Sequence, residues 1–319
     1  MKLSIIVPVY NLENYIAATL DSLLSIRFSD DYEIVVINDG STDDSESIIR
    51  GYQRTHDQIV LYSIENQGVS NARNVAISKA SGEYITFVDG DDTVEPDFFE
   101  KAVQELDGGG YDFVQGNFRI IDGDNTSYKQ FVSEDVIITE KDIMLDKLFG
   151  LEKLIHNAVW GKVYRAEIIK DILFDRAIKI AEDQKFVFDV IKKSNKIKLL
   201  RCVGYNYLQR NTSAMHDVNI NRDTDKLKVL SYCKKRVGNN SILQNIERHE
   251  LLTLLDMYSM ITVNGGDNRE CYERICKLDI KAIWDNLSNN IRYRIFLIKH
   301  ARIIYDLILR KRHKNSDGK

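Results

Sequence analysis

Four short apolar runs, each ending in a polar turn and followed by a helical pattern, constrain the first third of this chain more than any other feature. Leu3 to Val9 ends in Pro8-Val9-Tyr10-Asn11, and Tyr32 to Ile37 in Asn38-Asp39-Gly40-Ser41-Thr42-Asp43. Ile59 to Ser63 is followed by Asn66-Gln67-Gly68, and Tyr84 to Val88 by Asp89-Gly90-Asp91-Asp92. Helical spacing follows each turn: Leu12 to Ile26, a helix through Arg54, Ser70 to Ala80, and a helix with Pro96 near its first turn, where a missing N–H costs nothing. Strands that are apolar throughout, alternating with helices, predict an α/β fold with a mostly parallel sheet covered on both faces. In such sheets ligands bind beyond the carboxyl ends of the strands. The polar turns stand at those ends and are expected to converge on one crevice.

Farther along, Tyr111 to Gly116 reads as another strand, 122–135 as a loop or hairpin insertion, and 139–155 and 182–193 as helices. Short strands at 197–200 and 203–208 are expected to rejoin the sheet. From about residue 222 the pattern is almost entirely helical, with turns at Gly238-Asn239-Asn240 and Gly265-Gly266-Asp267. Two domains are expected, 1–215 and 216–319. The net charge of −4 conceals a gradient: residues 1–110 carry −13, 111–189 carry −4 and 190–319 carry +13. An acidic front repels a phosphate-bearing ligand unless a cation is bound there. Four cysteines with no C-x-x-C pair exclude a disulfide scaffold, a zinc ribbon and a thioredoxin-type site. Ile5-Ile6-Val7 is too short for a signal peptide, and no window reaches the ~18 apolar residues of a spanning helix. A cytoplasmic protein is expected.

The chemistry rests on carboxylates, because P-loop, dinucleotide-fingerprint, G-x-S-x-G and H-E-x-x-H patterns are all missing. Asp89-Gly90-Asp91-Asp92 sets three carboxylates within four residues at the end of a buried strand. Such crowding raises their pKa values unless a cation neutralises it, and hard oxygen donors suit Mg²⁺ or Mn²⁺. A solvated turn that caps a helix reads equally from these residue types. Asp39 is suited to bond a base or ribose, or to cap a helix. Arg73 is suited to a diphosphate, or to a surface ion pair.

Taken together, Pro8-Val9-Tyr10-Asn11, Val36-Ile37-Asn38-Asp39-Gly40-Ser41-Thr42-Asp43, Asn66-Gln67-Gly68-Val69-Ser70-Asn71-Ala72-Arg73-Asn74 and Gly82-Glu83-Tyr84-Ile85-Thr86-Phe87-Val88-Asp89-Gly90-Asp91-Asp92 resemble the inverting family 2 glycosyltransferases of GT-A fold, bacterial surface-polysaccharide type. The resemblance is dense over 1–115, looser to about 215 and absent beyond. It implies a nucleotide-sugar donor, a UDP-sugar by family habit, and a glycan or lipid-linked acceptor, with no nucleic-acid partner. Pro8, Val9, Tyr10, Asp39, Asn66 and Gly68 then line the nucleotide, and Arg73 approaches its diphosphate. Asp89-Gly90-Asp91 matches the D-x-D motif, with Asp91 the metal ligand for Mn²⁺ or Mg²⁺ and Asp89 toward the ribose or a metal-bound water. Asp92 either caps the next helix or touches sugar hydroxyls. Ala181-Glu182-Asp183-Gln184 resembles the family's E-D segment, which makes Asp183 the general base and Glu182 an acceptor or positioning contact. Trp160-Gly161-Lys162-Val163-Tyr164-Arg165 resembles W-N-K-L-Y-R with Gly161 replacing Asn, and Trp160 either stacks on a sugar or packs in the core. Arg210-Asn211-Thr212-Ser213 resembles a lid that closes with Arg210 and Ser213, and His216 is a further candidate metal ligand.

Residues 291–314 carry eight Lys/Arg against one Asp. Apolar residues cover a broad face, and Arg292, Lys299, Arg302, Asp306 and Arg310 form a polar stripe. The segment reads either as a helix on an anionic membrane, peripheral on its inner face, or as a helix packed on the catalytic domain. Two rival functions stand beside glycosyl transfer. A sugar nucleotidyltransferase would need a basic Gly-rich loop where Pro8-Val9-Tyr10-Asn11 stands. A non-catalytic nucleotide-sugar binder or scaffold would be expected to have lost some of Asp39, Arg73, Asp91 and Asp183.

Overall fold

The computed structural model describes residues 1–123, 125–209 and 220–316. The chain divides into two compact units, Met1–Leu148 with Lys153–His216, and Phe149–Glu152 with Asp217–Lys319. Each unit has its own buried core.

Ten strands among the described residues of the first unit form one sheet. They are β1 (Leu3–Val9), β2 (Tyr32–Asp39), β3 (Ile59–Ile64), β4 (Tyr84–Phe87), β5 (Thr93–Val94), β6 (Phe113–Asp122), β7 (Asn125–Lys129), β8 (Val136–Ile138), β9 (Lys162–Arg165) and β10 (Ile197–Leu208). The main path runs β3-β2-β1-β4-β9-β6-β10-β5, with β7 on β6 and β8 on β10. The four alternating runs pair parallel, as β3-β2-β1-β4, and β6 pairs parallel with β10. Antiparallel β9 joins the two halves. All of Leu3, Ile5, Ile6, Val7 and Val9 are buried, and each such side chain contributes about 1.5–3 kcal/mol relative to exposure. Among the described residues seven helices belong with this sheet: α1 (Ile16–Leu24), α2 (Ser45–Gln53), α3 (Val69–Lys79), α4 (Phe98–Gly109), α5 (Lys141–Phe149), α6 (Ala166–Ile169) and α7 (Glu182–Lys193).

One local feature opens the crevice. β4 pairs with β1 only as far as Ile6–Phe87, whereas β2 continues alongside to Val9. Pro8, with no N–H to donate, lies past the last β4 pair.

Several boundaries differ from expectation. The helix expected at 139–155 ends at Phe149, because Gly150 follows and the amides of Leu154 and Ile155 both fold back onto the Lys147 carbonyl at 3.1 Å. The two strands expected at 197–200 and 203–208 are one strand with register shifts around Val203, and the Asn117 amide donates to the Arg201 carbonyl there at 2.9 Å. The insertion at 122–135 is a hairpin arm, β7 on β6.

The second unit is helical: α8 (Ile220–Lys234), α9 (Asn240–Val263), α10 (Arg269–Lys277), α11 (Ile280–Ile283), α12 (Asn289–His300) and α13 (Arg302–Ser316), with a single 3-10 turn at Trp284–Asn286. Asn239 caps α9 by accepting from the Ser241 amide at 2.9 Å. Leu251, Leu254, Leu255 and Tyr258 of α9 pack with Ile275, Ile283 and Ile298 in its core. Residues 291–314 are therefore two helices and not one, broken at Ala301, whose φ and ψ are −143° and 42°. No helix among the described residues is long and apolar enough to cross a membrane.

Candidate active site

The turns after β1, β2 and β3 are bound to one another. Asn11, at φ 52°, accepts from the Thr42 amide at 2.8 Å and donates its own amide to the Ser41 hydroxyl at 3.1 Å. Gly40 has φ 68°, and a Cβ there would stand 2.8 Å from the Asn66 backbone nitrogen. Only glycine lets the β2 turn lie this close to the β3 turn. Asp39 completes the junction: its two carboxylate oxygens accept from the amides of Gln67 at 3.0 Å and Gly68 at 2.8 Å. Asn66, Gly68 and Tyr10 are exposed around it, whereas Pro8 and Val9 are buried at the end of β1.

Arg73, in the second turn of α3, is the hub of the crevice and only 3% exposed. Its Nη1 donates to Glu182 at 3.0 Å and to Asp183 at 2.6 Å, and its Nη2 donates to Asp89 at 3.0 Å. The guanidinium also lies 5.3 Å from the centre of the Phe174 ring. Burial opposes its charge, yet the three carboxylates more than compensate, and its pKa is raised. Its planar fork of five donors serves all three carboxylates at once.

Each carboxylate has a different environment. Burial pushes Glu182 up to about 8, with repulsion from Asp183 adding and attraction to Arg73 opposing. Burial likewise raises Asp89 to about 6 against the pull of Arg73, with Asp183 and Asp91 adding repulsion. Asp183 accepts N–H bonds on both oxygens, from Arg73 and from the Val159 amide at 3.3 Å. Burial thus favours the protonated form of Glu182 near neutral pH. Ala181, held at φ 71°, turns the chain so that Glu182 and Asp183 open α7.

The turn after β4 packs tightly against β1. A Cβ on Gly90 would meet the Leu12 side chain at 2.8 Å and the Pro8 carbonyl at 3.0 Å. Asp91 is partly exposed. Asp92 does not cap the next helix: it is buried, and its oxygens accept from the Tyr205 hydroxyl and the Leu208 amide, both at 2.7 Å. Asp97, not Asp92, precedes α4. Burial raises the Asp92 pKa well above the usual range, and Asp89 and Asp91 add to it.

Trp160 is 8% exposed and packs inside the protein, stacked on Tyr205 at 4.4 Å and on Tyr207 at 5.7 Å. The Tyr205 hydroxyl both donates to Asp92 and accepts from the Asp89 amide at 3.0 Å. Trp160 thus supports the Asp89–Asp92 turn from beneath. Arg210, Ser213 and His216, expected as lid and metal ligand, lie outside the described residues.

Sequence reasoning assigned no role to Lys162, which the structure buries completely. Its ammonium donates to the carbonyls of Ala158 at 2.6 Å and His156 at 2.9 Å, and meets the His156 ring at 2.9 Å. Burial pushes both pKa values down. Lys162 and the Tyr164 hydroxyl, which donates to the Val159 carbonyl at 2.9 Å, together fix the segment whose Val159 amide bonds Asp183. A lysine amid Val and Tyr in a strand-like stretch was the available signal.

Residues 4–173 match the family described as Glycosyl transferase family 2. The glycosyltransferase GlyA of Streptococcus pneumoniae serotype 4 is 34% identical over 224 residues, 66% of this chain and 31% of that protein. The poly(ribitol-phosphate) beta-N-acetylglucosaminyltransferase TarS of Staphylococcus aureus is 30% identical over 211 residues, 65% of this chain and 35% of that protein. The chain thus spans about a third of the length of these relatives. The crystal structure of S. aureus TarS 1-349 in complex with UDP-GlcNAc superimposes with a TM-score of 0.70 at 21% identity, covering 99% of this chain and 92% of that one. That likeness establishes the GT-A fold.

Proposed function

Because the chain belongs to glycosyl transferase family 2, we propose that it moves a sugar from a nucleotide-sugar donor to a hydroxyl of a glycan or lipid-linked acceptor, inverting the anomeric carbon. The observation that carries this reading is the Arg73 hub, which gathers Asp89 from the turn after β4 and Glu182 and Asp183 from the start of α7.

In this reading Asp183 is the general base. It takes the proton from the acceptor hydroxyl as that oxygen forms its bond to the anomeric carbon. The bond from that carbon to the diphosphate oxygen breaks, and the diphosphate departs with the electron pair. No covalent sugar–protein bond is needed. Arg73 and the Val159 amide hold the Asp183 carboxylate in place, and Glu182, protonated, positions it from the other side. Tyr10, Asn66 and Gly68 are the exposed groups of the nucleotide end; Pro8, Val9 and Asp39 shape it from within. That TarS is named for N-acetylglucosaminyl transfer to poly(ribitol-phosphate), and that its structure holds UDP-GlcNAc, support a UDP-sugar and a surface-polymer acceptor.

A divalent cation suits the chemistry of the Asp89-Gly90-Asp91 turn. The donors are hard carboxylate oxygens, and Asp89, already raised by burial, meets further repulsion from Asp183 and Asp91 that a cation relieves. No three His, Cys, Asp or Glu side chains among the described residues group into a ligand set by themselves. Asp91, with Asp89 behind it, would hold such an ion, and diphosphate oxygens would complete its shell. When bound it neutralises charge on the departing diphosphate.

The test is thermal stabilisation by UDP, GDP, CDP and dTDP, each with and without Mn²⁺, in the wild type and in Asp91→Ala. A ligand at about 100 times its dissociation constant adds about 2.7 kcal/mol. Stabilisation by one nucleotide that depends on the metal, and its loss in Asp91→Ala, is expected. No stabilisation by any nucleotide would overturn the reading in favour of a chain that does not bind donor.

A further inference from the structure

The two C-terminal helices expose the wrong face for a helix that serves only to close a bundle. On α13 the residues at helical spacing 302, 305, 306, 309 and 310 face α9. Arg302 donates to Asn268, the Tyr258 hydroxyl donates to Asp306 at 2.5 Å, Arg310 donates to the Thr262 carbonyl at 3.3 Å, and Tyr305 is buried beside Tyr258. Arg302, Asp306 and Arg310 of the polar stripe therefore find their partners within the unit. The opposite arc carries Ile303, Ile304, Leu307 and Lys311, with the three apolar side chains 78%, 59% and 62% exposed. On α12 the same inversion recurs: Tyr293 and Phe296 are exposed, whereas Arg294 donates to the Leu255 carbonyl at 2.9 Å and to the Ser259 hydroxyl at 3.0 Å. Of fourteen large hydrophobic side chains exposed among the described residues, six lie between Trp284 and Leu307.

We infer that α12 and α13 form a docking face for an anionic lipid surface. Three features select that occupant. Exposed aliphatic and aromatic side chains concentrated on short helices are the part of an interfacial helix that enters the headgroup–acyl boundary. Lys311 follows directly on the Ile303–Leu307 stripe, and exposed Lys281 lines one cavity with Trp284 and Phe296. Basic groups beside an apolar stripe complement anionic headgroups, each cation near such a surface adding to the attraction. That charge also disfavours a second copy of this chain, because two such faces brought together would set like charges against each other in a desolvated contact. The inward hydrogen bonds of Asp306 and Arg302 fix α13 with its apolar arc outward before any membrane is met. The inference is independent of sugar transfer, since its test reads no turnover.

The test is co-sedimentation of the full chain with vesicles of phosphatidylcholine alone and with vesicles of about three parts phosphatidylcholine to one of phosphatidylglycerol. Two variants accompany it: Ile303→Asp with Leu307→Asp, and Lys281→Gln with Lys311→Gln. The side chains are exposed, so an unchanged melting temperature is expected and serves as the folding control. The wild type is expected to bind the anionic vesicles at least tenfold more tightly than the neutral ones, and each double variant to lose at least tenfold. No binding to either vesicle overturns the inference, as does binding that the aspartates leave unchanged. Concentration-dependent self-association of the wild type that Ile303→Asp with Leu307→Asp abolishes also overturns it, by assigning the face to a second copy.

Discussion

Glu182 and Asp183 adjoin in sequence but differ in what burial does to them. Glu182 holds its proton to about pH 8 in the folded protein, whereas a free glutamate gives it up near 4.5. The folded state therefore binds more protons than the unfolded state between these values. The contribution to stability is complete below the lower value and is lost as pH rises through about 8. Gln at this position stays neutral throughout. The melting temperature of Glu182→Gln is thus expected to gain on the wild type as pH rises from about 5.5 to about 8.5, followed by thermal melts at both ends; a constant gap would mean that Glu182 ionises as in water. The E-D segment was legible in the sequence, as were Asp39, Arg73 and the Asp89–Asp92 turn. That Arg73 serves Glu182 and Asp183 was not, since it precedes them by 109 and 110 residues and no periodicity links positions so distant.

At the scale of elements, strand β9 and the segment before it do two jobs. β9 bridges the parallel half of the sheet to β6, and Lys162 within it holds the 156–159 segment that gives its amide to Asp183. Lys162→Met keeps length and apolar packing but leaves the His156 and Ala158 carbonyls without their donor, a loss of about 1–3 kcal/mol for each unpaired buried group. The expected outcome in steady-state kinetics is a kcat lowered by about tenfold to a hundredfold with the donor KM nearly unchanged, because a small displacement of a positioned base is costly. Equal loss in both parameters would place Lys162 in donor binding. The alternating strands and helices of the first 110 residues were readable because their burial pattern is local. β9 was not, because its four residues carry no alternation and their strand state is imposed by β4 and β6 on either side. The partners that Asp306 and Arg310 find on α9 were likewise not readable, because amphipathic spacing does not reveal them.

At the scale of the whole molecule, the charge gradient sets what the crevice can attract. Residues 1–110 carry −13, so a nucleoside diphosphate without a cation meets repulsion that salt screens over about 10 Å at ~0.1 M. UDP affinity without divalent ion is expected to be weak and to rise with ionic strength. With Mn²⁺ it is expected to be tighter and to fall with ionic strength. Calorimetric titration at low and high salt checks both, and equal affinity with and without Mn²⁺ would remove the cation from donor binding.

The most direct measurement of the central proposal, that Asp183 drives an inverting transfer, is NMR observation of donor turnover by the wild type and by Asp183→Asn. From an α-linked UDP-sugar, the first product expected is the β-anomer. Asp183→Asn is expected to bind UDP within a few-fold of the wild type yet to turn over at least about a hundredfold more slowly, the usual weight of a general base. An α-anomer as first product, or wild-type turnover in Asp183→Asn, would contradict it.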